Sequence, residues 1–195
     1  PFADFQNARG IAVVSANEIY IADTFNHVIR KLDISAGTLT VVAGTVGMAA
    51  PNALDANGDG GAATAALLNH PSDVVVAPNG DFYISDSGNR RIRKVTIGDG
   101  QINTIAGNGL PGSAIGSPLN SVVTDPRGMA LDDSRLLIAD AGNHRIIAIN
   151  DLDGTSTVSH IAGNGAAGNE GDGGLATIAA LHSPNDVAVD GATIY

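Results

Sequence analysis

The sequence predicts an all-β fold made of repeated four-stranded antiparallel units, and three markers that recur in constant order carry this prediction. The first is Ile-Ala/Ser-Asp, two residues, Asn, His or Arg, one residue and Ile, and it opens residues 21–33, 84–96 and 138–150. The second is an Ala-Gly pair at the end of each unit, at Gly44, Gly107 and Gly163. The third is Pro or Ala, any residue, then Gly or Asp, and it begins at Ala8, Pro71, Pro126 and Pro184.

The second unit shows the strand pattern most clearly. Its four short segments are separated by clusters of turn-forming residues, and they cover residues 73–77, 81–85, 91–96 and 101–106. Four short strands per repeat are typical of β-propeller blades. The apolar runs are continuous, which indicates that both faces of each sheet are covered. We therefore predict one propeller domain over residues 1–195, with three complete blades and the start of a fourth, at approximately residues 8–44, 71–107, 126–163 and 184–195.

The motifs resemble those of NHL-repeat proteins. Residues 57–76, NGDGGAATAALLNHPSDVVV, are similar to a linker form common in bacterial NHL repeats, and a related stretch recurs at residues 170–189. The third unit departs from the pattern, because Ile147 and Ala148 stand where Arg93 and Lys94 stand in the second. The resemblance implies a ring of six blades, of which this sequence holds about half. We expect further blades, or a second copy of the chain, to complete the ring.

Composition excludes several functional classes. The 195 residues carry a formal net charge of −10, which argues against nucleic-acid binding and against attraction to anionic membranes. No apolar run is long enough to predict a membrane-inserted helix. The sequence has no cysteine, so thiolate metal sites are excluded, and this absence is compatible with a secreted bacterial protein. We expect an extracellular or periplasmic location.

Strand direction predicts which face of the propeller carries function. In a four-stranded meander, the turn between the second and third strands lies on the same side as the connection to the next blade. The connections over residues 45–70, 108–125 and 164–183 are long, whereas the turns on the other side are tight. Long loops on a rigid scaffold are the usual place for binding. We expect the ligand on this loop-rich face, near the ring axis.

The repeated polar turn is interpreted first as architecture. Asp and Asn side chains hydrogen-bond backbone groups in tight turns, so Asp23, Asp86 and Asp140 are predicted to be structural. The arginine that follows is expected to pair with an aspartate of a neighbouring blade. On the loop-rich face, the candidate binding residues are Asn26, Asn89, Asn143, His70 and His182.

The Gly-Asp-Gly-Gly loop allows two interpretations. Asp55, Asn57 and Asp59 fit the first half of a calcium-binding loop, although Ala66 stands where a bidentate glutamate is expected. Alternatively, Asp59 caps a short helix over residues 62–68, and Asp172 caps its counterpart over residues 175–181. We favour the capping interpretation, so no cofactor is expected apart from a possible Ca²⁺.

No catalytic motif is present: the sequence lacks a nucleophile elbow, a Cys nucleophile and a HExxH pair. We therefore predict a non-catalytic binding scaffold for a protein, peptide or glycan. The alternative is a metal-dependent, lyase-like propeller enzyme with its site in the central channel, as the resemblance allows at the level of the fold.

Overall fold

The computed structural model describes residues 4–54, 57–132, 134–152 and 156–195. Within these residues the strands form three four-stranded antiparallel sheets and one two-stranded sheet. Each sheet is a meander, with strands side by side in chain order. The first blade contains β1 (Ile11–Ser15), β2 (Glu18–Asp23), β3 (Val28–Asp33) and β4 (Thr38–Ala43). The second contains β5 (Pro71–Val76), β6 (Phe82–Asp86), β7 (Arg91–Thr96) and β8 (Gln101–Ala106).

The third blade repeats this order, and a hairpin follows it. The strands are β9 (Pro126–Leu131), β10 (Arg135–Asp140), β11 (Arg145–Asn150) and β12 (Thr157–Ala162), then β13 (Val189–Asp190) and β14 (Thr193–Ile194). In the second blade, β7 and β8 have the bounds predicted from sequence, and β5 and β6 differ by one or two residues. Within the described residues no helix is long and apolar enough to cross a bilayer.

Short 3₁₀ turns join the second strand of each complete blade to the third. They are Thr24–Asn26, Ser87–Asn89 and Ala141–Asn143. Each ends in a residue with left-handed backbone conformation, at His27, Arg90 and His144. Further 3₁₀ turns, Ala63–Ala65, Pro118–Asn120 and Ala176–Ile178, lie within the long connections.

The core lies between the blades, as the continuous apolar runs predict. Val74 and Ile84 of the second blade pack against Tyr20 and Ile29 of the first. On the opposite face of the same sheet, Tyr83 packs toward the third blade. Successive side chains of a strand point to opposite faces, so one run fills two cores.

The face of the first blade directed away from the second blade is open to solvent. Ile11 is 62% exposed, whereas Val74 and Met129, at the equivalent positions of the next two blades, are 0% and 4% exposed. The preceding blade covers those two residues. The propeller architecture is confirmed, and the six-bladed ring stays a prediction.

Candidate functional site

A buried aspartate organises the polar turn of every complete blade. In the second blade, Oδ1 of Asp86 accepts the backbone N–H of Asn69, which lies two residues before the first strand, at 2.8 Å. Its Oδ2 accepts the side-chain amide of Asn89 at 2.8 Å and the guanidinium of Arg93 at 3.1 Å. Asp23 and Asp140 make equivalent bonds, and all three aspartates are fully buried. Each aspartate thus joins three segments of its own blade.

The arginine partner belongs to the same blade as the aspartate, so the predicted pairing with a neighbouring blade is wrong. Arg30 bonds to Asp23 at 2.6 Å. In the third blade, where Ile147 replaces the usual arginine, Arg145 enters from two residues earlier and bonds to Asp140 at 2.9 Å. The ion pair is therefore kept although the motif is not.

The asparagines of these turns also belong to the scaffold. Besides the aspartate, the amide of Asn89 reaches the carbonyl of Leu67 in the connection from the first blade, at 3.1 Å. Asn26 and Asn143 bond to the carbonyls of Asp4 and Gly112 in the same way. All three are at least nine-tenths buried. Because their donors already have partners inside the protein, this geometry does not support their predicted role as binding residues.

The Gly-Asp-Gly-Gly loop binds the outer edge of the second blade. The N–H of Gly60 donates to the carbonyl of Ile102 at 2.9 Å, and the N–H of Ile102 donates back to Gly61 at 3.0 Å. The carboxylate of Asp59 pairs with Arg93 at 2.6 Å. The loop therefore covers the edge strand β8, a device that limits unwanted strand pairing.

The capping prediction is wrong at both copies of the loop. The segments after them form single 3₁₀ turns rather than helices, with Ala62 and Leu175 at the N-cap and no side-chain cap hydrogen bond. In the first copy, the Asp59 carboxylate pairs with the fully buried Arg93 instead of capping the turn.

Of the three predicted calcium ligands, the two that the structure describes have other partners in the protein. Asp55 lies outside the described residues. Asn57 donates its amide to the carbonyl of Asn52 at 3.2 Å, and Asp59 is paired with Arg93. Among the residues that the structure describes, no group of three or more His, Asp or Glu side chains is placed to hold a metal ion. Calcium binding and the lyase-like alternative both stay predictions.

The histidines form two inter-blade pairs. The rings of His27 and His70 meet edge to face with centroids 4.6 Å apart, and those of His144 and His182 meet at 5.8 Å. The sequence predicts His70 and His182 on the loop-rich face but gives no sign of a partner for either. The pairing follows from strand direction, because each turn of one blade lies beside the segment that leads into the next.

A polar cavity of about 470 Å³ opens where the first strands of successive blades converge on the loop-rich side. Each blade contributes the second and third residues of its opening motif, and the lining consists of Arg9, Gly10, Ser72, Asp73, Arg127, Gly128, Asn185 and Asp186. The backbone of adjacent blades is in direct contact here, since the N–H of Gly10 donates to the carbonyl of Ser72 at 3.0 Å. We call this space the axial cavity.

Glycine and aspartate alternate around the axial cavity for a steric reason. A Cβ on Gly10 would lie against the side chain of Asp73 and 2.6 Å from its Cα. Asp186 occupies the same position relative to Gly128. Each aspartate thus fills the space that a side chain on the preceding blade would need. Asp73 also accepts the N–H of Met129, in the following blade, at 2.7 Å.

The electrostatics of the cavity centre on Asp73. Burial raises its pKa to about 7, and the nearby Asp186 carboxylate adds to the rise, while hydrogen bonds from Met129 and Val74 oppose it. Arg127 is held beside the cavity by Asp125 at 2.8 Å and by Asn185 at 3.1 Å. The cavity therefore presents guanidinium, amide and carboxyl groups whose net charge changes near neutral pH.

Asp73→Asn is expected to make the stability of the protein less dependent on pH. The folded-state pKa lies above that of an unfolded aspartate, so stability is greatest below about pH 4, falls as the pH rises and levels off above about pH 7. The variant should exceed the wild type by on the order of 2 kcal/mol at pH 8 and by almost nothing at pH 4. Urea unfolding at several pH values measures this difference, in which the histidine contributions cancel. A difference that is independent of pH would contradict it.

Exposed apolar side chains also lie in the turns and connections of the loop-rich face. Six residues on the loop-rich face are 43–55% exposed, and they are Phe25, Val46, Met48, Leu54, Leu110 and Ile115. We call them the apolar rim. Hydrogen bonds tie two parts of the first connection to the blades: the N–H of Gly47 donates to the carbonyl of Asn26, and Arg91, at the start of β7, donates to the carbonyl of Ala53.

The sequence predicts function on the loop-rich face, but it does not single out the residues of the axial cavity or of the apolar rim. The opening motif marks the repeats in the sequence, and its variable positions, Arg9, Ser72, Arg127 and Asn185, line the axial cavity. A second cavity, of about 370 Å³, lies on the opposite face between the tight turns of the second and third blades.

Comparison with known proteins agrees with this architecture. The Teneurin NHL domain family model matches residues 2–96. Protein SUPPRESSOR OF QUENCHING 1, chloroplastic, from Arabidopsis thaliana, is 32% identical over 144 residues, which are 73% of this chain and 14% of that protein. NHL repeat-containing protein 2 from Bos taurus is 30% identical over 165 residues, 80% of this chain and 22% of that protein. The chain thus spans less than a quarter of these relatives.

Among solved structures, a chain of a nidogen/laminin complex superimposes with a TM-score of 0.61 at 20% identity, over 98% of this chain and 56% of that chain. At this identity the likeness shows the fold alone. Fold, repeat motifs and relatives together define an NHL-type β-propeller. The chain belongs to the NHL-repeat family.

Proposed function

We propose that this chain is a non-catalytic binding scaffold whose loop-rich face holds a protein or peptide partner. The observation that carries the proposal is that this one face presents both the exposed apolar rim and the polar axial cavity. Recognition surfaces combine apolar contacts with a few polar groups that fix orientation. The rim offers the apolar contacts, and the axial cavity offers the polar groups.

The composition of the rim favours a protein or peptide over a glycan. Five of the six rim side chains are aliphatic or thioether groups, and Phe25 supplies the one aromatic ring. Flexible Met and aliphatic side chains adapt to apolar partner surfaces. The similar fold in a nidogen/laminin complex is compatible with this use.

Site-specific photo-crosslinking tests the proposal. A photoreactive residue is placed at Leu54 or Leu110 on the rim, and in the control protein at Ile34 or Ile97 on the opposite face. These two isoleucines are 50% and 55% exposed, so they match the rim residues in size and accessibility. We expect a discrete crosslinked protein or peptide from the rim positions alone. Equal crosslinking from both faces, or crosslinking from the opposite face only, would contradict the proposal.

A further inference from the structure

One histidine of each pair, His27 or His144, accepts a backbone hydrogen bond that requires a neutral imidazole. In the first pair, the backbone N–H of His70 donates to Nδ1 of His27 at 3.1 Å. In the second, the N–H of Ser183 donates to Nδ1 of His144 at 3.0 Å. His70 and Ser183 occupy equivalent positions, each directly before the proline that opens a blade. The same bond thus recurs at two blade junctions.

The protonation state of the imidazole ring determines whether this hydrogen bond can form. A neutral ring that accepts at Nδ1 carries its proton on Nε2, whereas an imidazolium carries protons on both nitrogens. Protonation of His27 therefore turns the acceptor into a donor that faces the N–H of His70. The attractive contact becomes a contact between two donors. For the same reason Nε2 of His27 has no lone pair for a metal while the bond exists.

The groups around His27 favour its neutral form. The facing titratable group is His70, whose Nδ1 is hydrogen-bonded to Oδ1 of Asn69 at 2.7 Å. The charged groups of the turn, Asp23 and Arg30, are paired with each other. Burial and the facing His70 ring lower the pKa of His27.

The groups around His144 are arranged in a similar way. His182 faces its ring, and Asp140 and Arg145 of the same turn are paired with each other. From β12, Nε2 of His160 contacts the carbonyl of Gly163, at which an added Cβ would meet the backbone carbonyl of His144.

We propose that these two bonds are acid-labile latches, and that protonation of His27 and His144 releases the segments that open the following blades. Ser72 and Asp73 of the axial cavity come two and three residues after His70, and Asn185 and Asp186 come two and three residues after Ser183. Release therefore loosens the wall of the cavity at mildly acidic pH. A role of the latch in regulating ligand binding rests on the proposed function of the loop-rich face.

Amide hydrogen exchange of the whole chain, followed by NMR, tests the latch without any ligand. Protection of the His70 and Ser183 amides, corrected for intrinsic exchange, is compared at about pH 7.5 and about pH 5. We expect protection of both amides in the wild type to be lower at the lower pH. Constant protection would overturn the latch proposal. The binding-scaffold proposal is tested separately, by the crosslinking experiment.

Two double variants separate the latch from other effects of pH. His27→Asn/His144→Asn keeps an acceptor near the position of Nδ1, cannot titrate, and suits the left-handed backbone at both sites. Its protection should be the same at both pH values, and a loss equal to that of the wild type would overturn the latch. The control, His70→Asn/His182→Asn, retains both latch acceptors and should still lose protection as the pH falls. A control without that loss would also contradict the assignment of His27 and His144 as the groups whose protonation releases the latch.

The imidazole tautomer of the wild type provides a second measurement that needs no variant. The ¹⁵N chemical shifts of His27 and His144 at about pH 7.5 should show an unprotonated Nδ1 and a protonated Nε2. A proton on Nδ1 at that pH would exclude the latch.

Discussion

Asp86→Ala is expected to lower the free energy of unfolding by about 3–5 kcal/mol, because it leaves three buried or partly buried donors without their shared acceptor. The substitution takes an acceptor from the backbone of Asn69, the amide of Asn89 and the guanidinium of Arg93. Arg93 is fully buried and keeps Asp59 as a partner. Equilibrium unfolding in urea, monitored by circular dichroism, measures the loss.

Asp99→Ala is the matched control for this experiment. Asp99 is an exposed turn residue that accepts the N–H of Gln101 at 3.0 Å and has no buried partner among the bonds described. Its replacement should change stability by no more than about 0.5–1 kcal/mol. If Asp86→Ala were as mild as this control, the turn could not be the structural centre of its blade.

Gly10→Ala is expected to destabilise the protein by about 2–3 kcal/mol, because the added methyl group overpacks a junction that cannot widen. The new Cβ would lie 2.6 Å from the Cα of Asp73, and the two backbones are held together by the hydrogen bond from Gly10 to Ser72. Thermal unfolding of the variant should show a clear decrease in Tm.

Gly98→Ala provides the comparison, since a Cβ at Gly98 would meet no atom within 4 Å. This variant should be neutral or slightly stabilised, because alanine reduces the conformational freedom of the unfolded chain. Equal Tm values for the two alanine variants would show that the first strands can separate, and the alternation of glycine and aspartate would then need another explanation.

The fold was predictable because the sequence motifs that indicate it are local. Each strand, turn and opening motif lies within a few residues, and three copies display the same order. The boundaries of β7 and β8 follow directly from Gly-rich turns. Local chemistry also indicated that Asp86 would bond to its own turn.

The ion pairs and the site were not predictable, since they depend on contacts distant in sequence. Asp59 meets Arg93 only after the connection folds along β8, so the Gly-rich loop resembled a cap or a calcium site instead. Arg145 replaces a missing arginine from another position of its strand. The axial cavity appears only when residues such as Arg9 and Asn185, at opposite ends of the chain, converge.

The most direct test of the binding scaffold is the affinity of the crosslinked partner for two double-glutamate variants. Leu54→Glu/Leu110→Glu places charge on the apolar rim, and Ile34→Glu/Ile97→Glu places the same charge on the opposite face at similar exposure. The rim variant should raise Kd at least about tenfold with an unchanged Tm, and the other variant should bind within about twofold of the wild type. Unchanged affinity in the rim variant, with a loss in the opposite-face variant, would contradict the assignment of function to the loop-rich face.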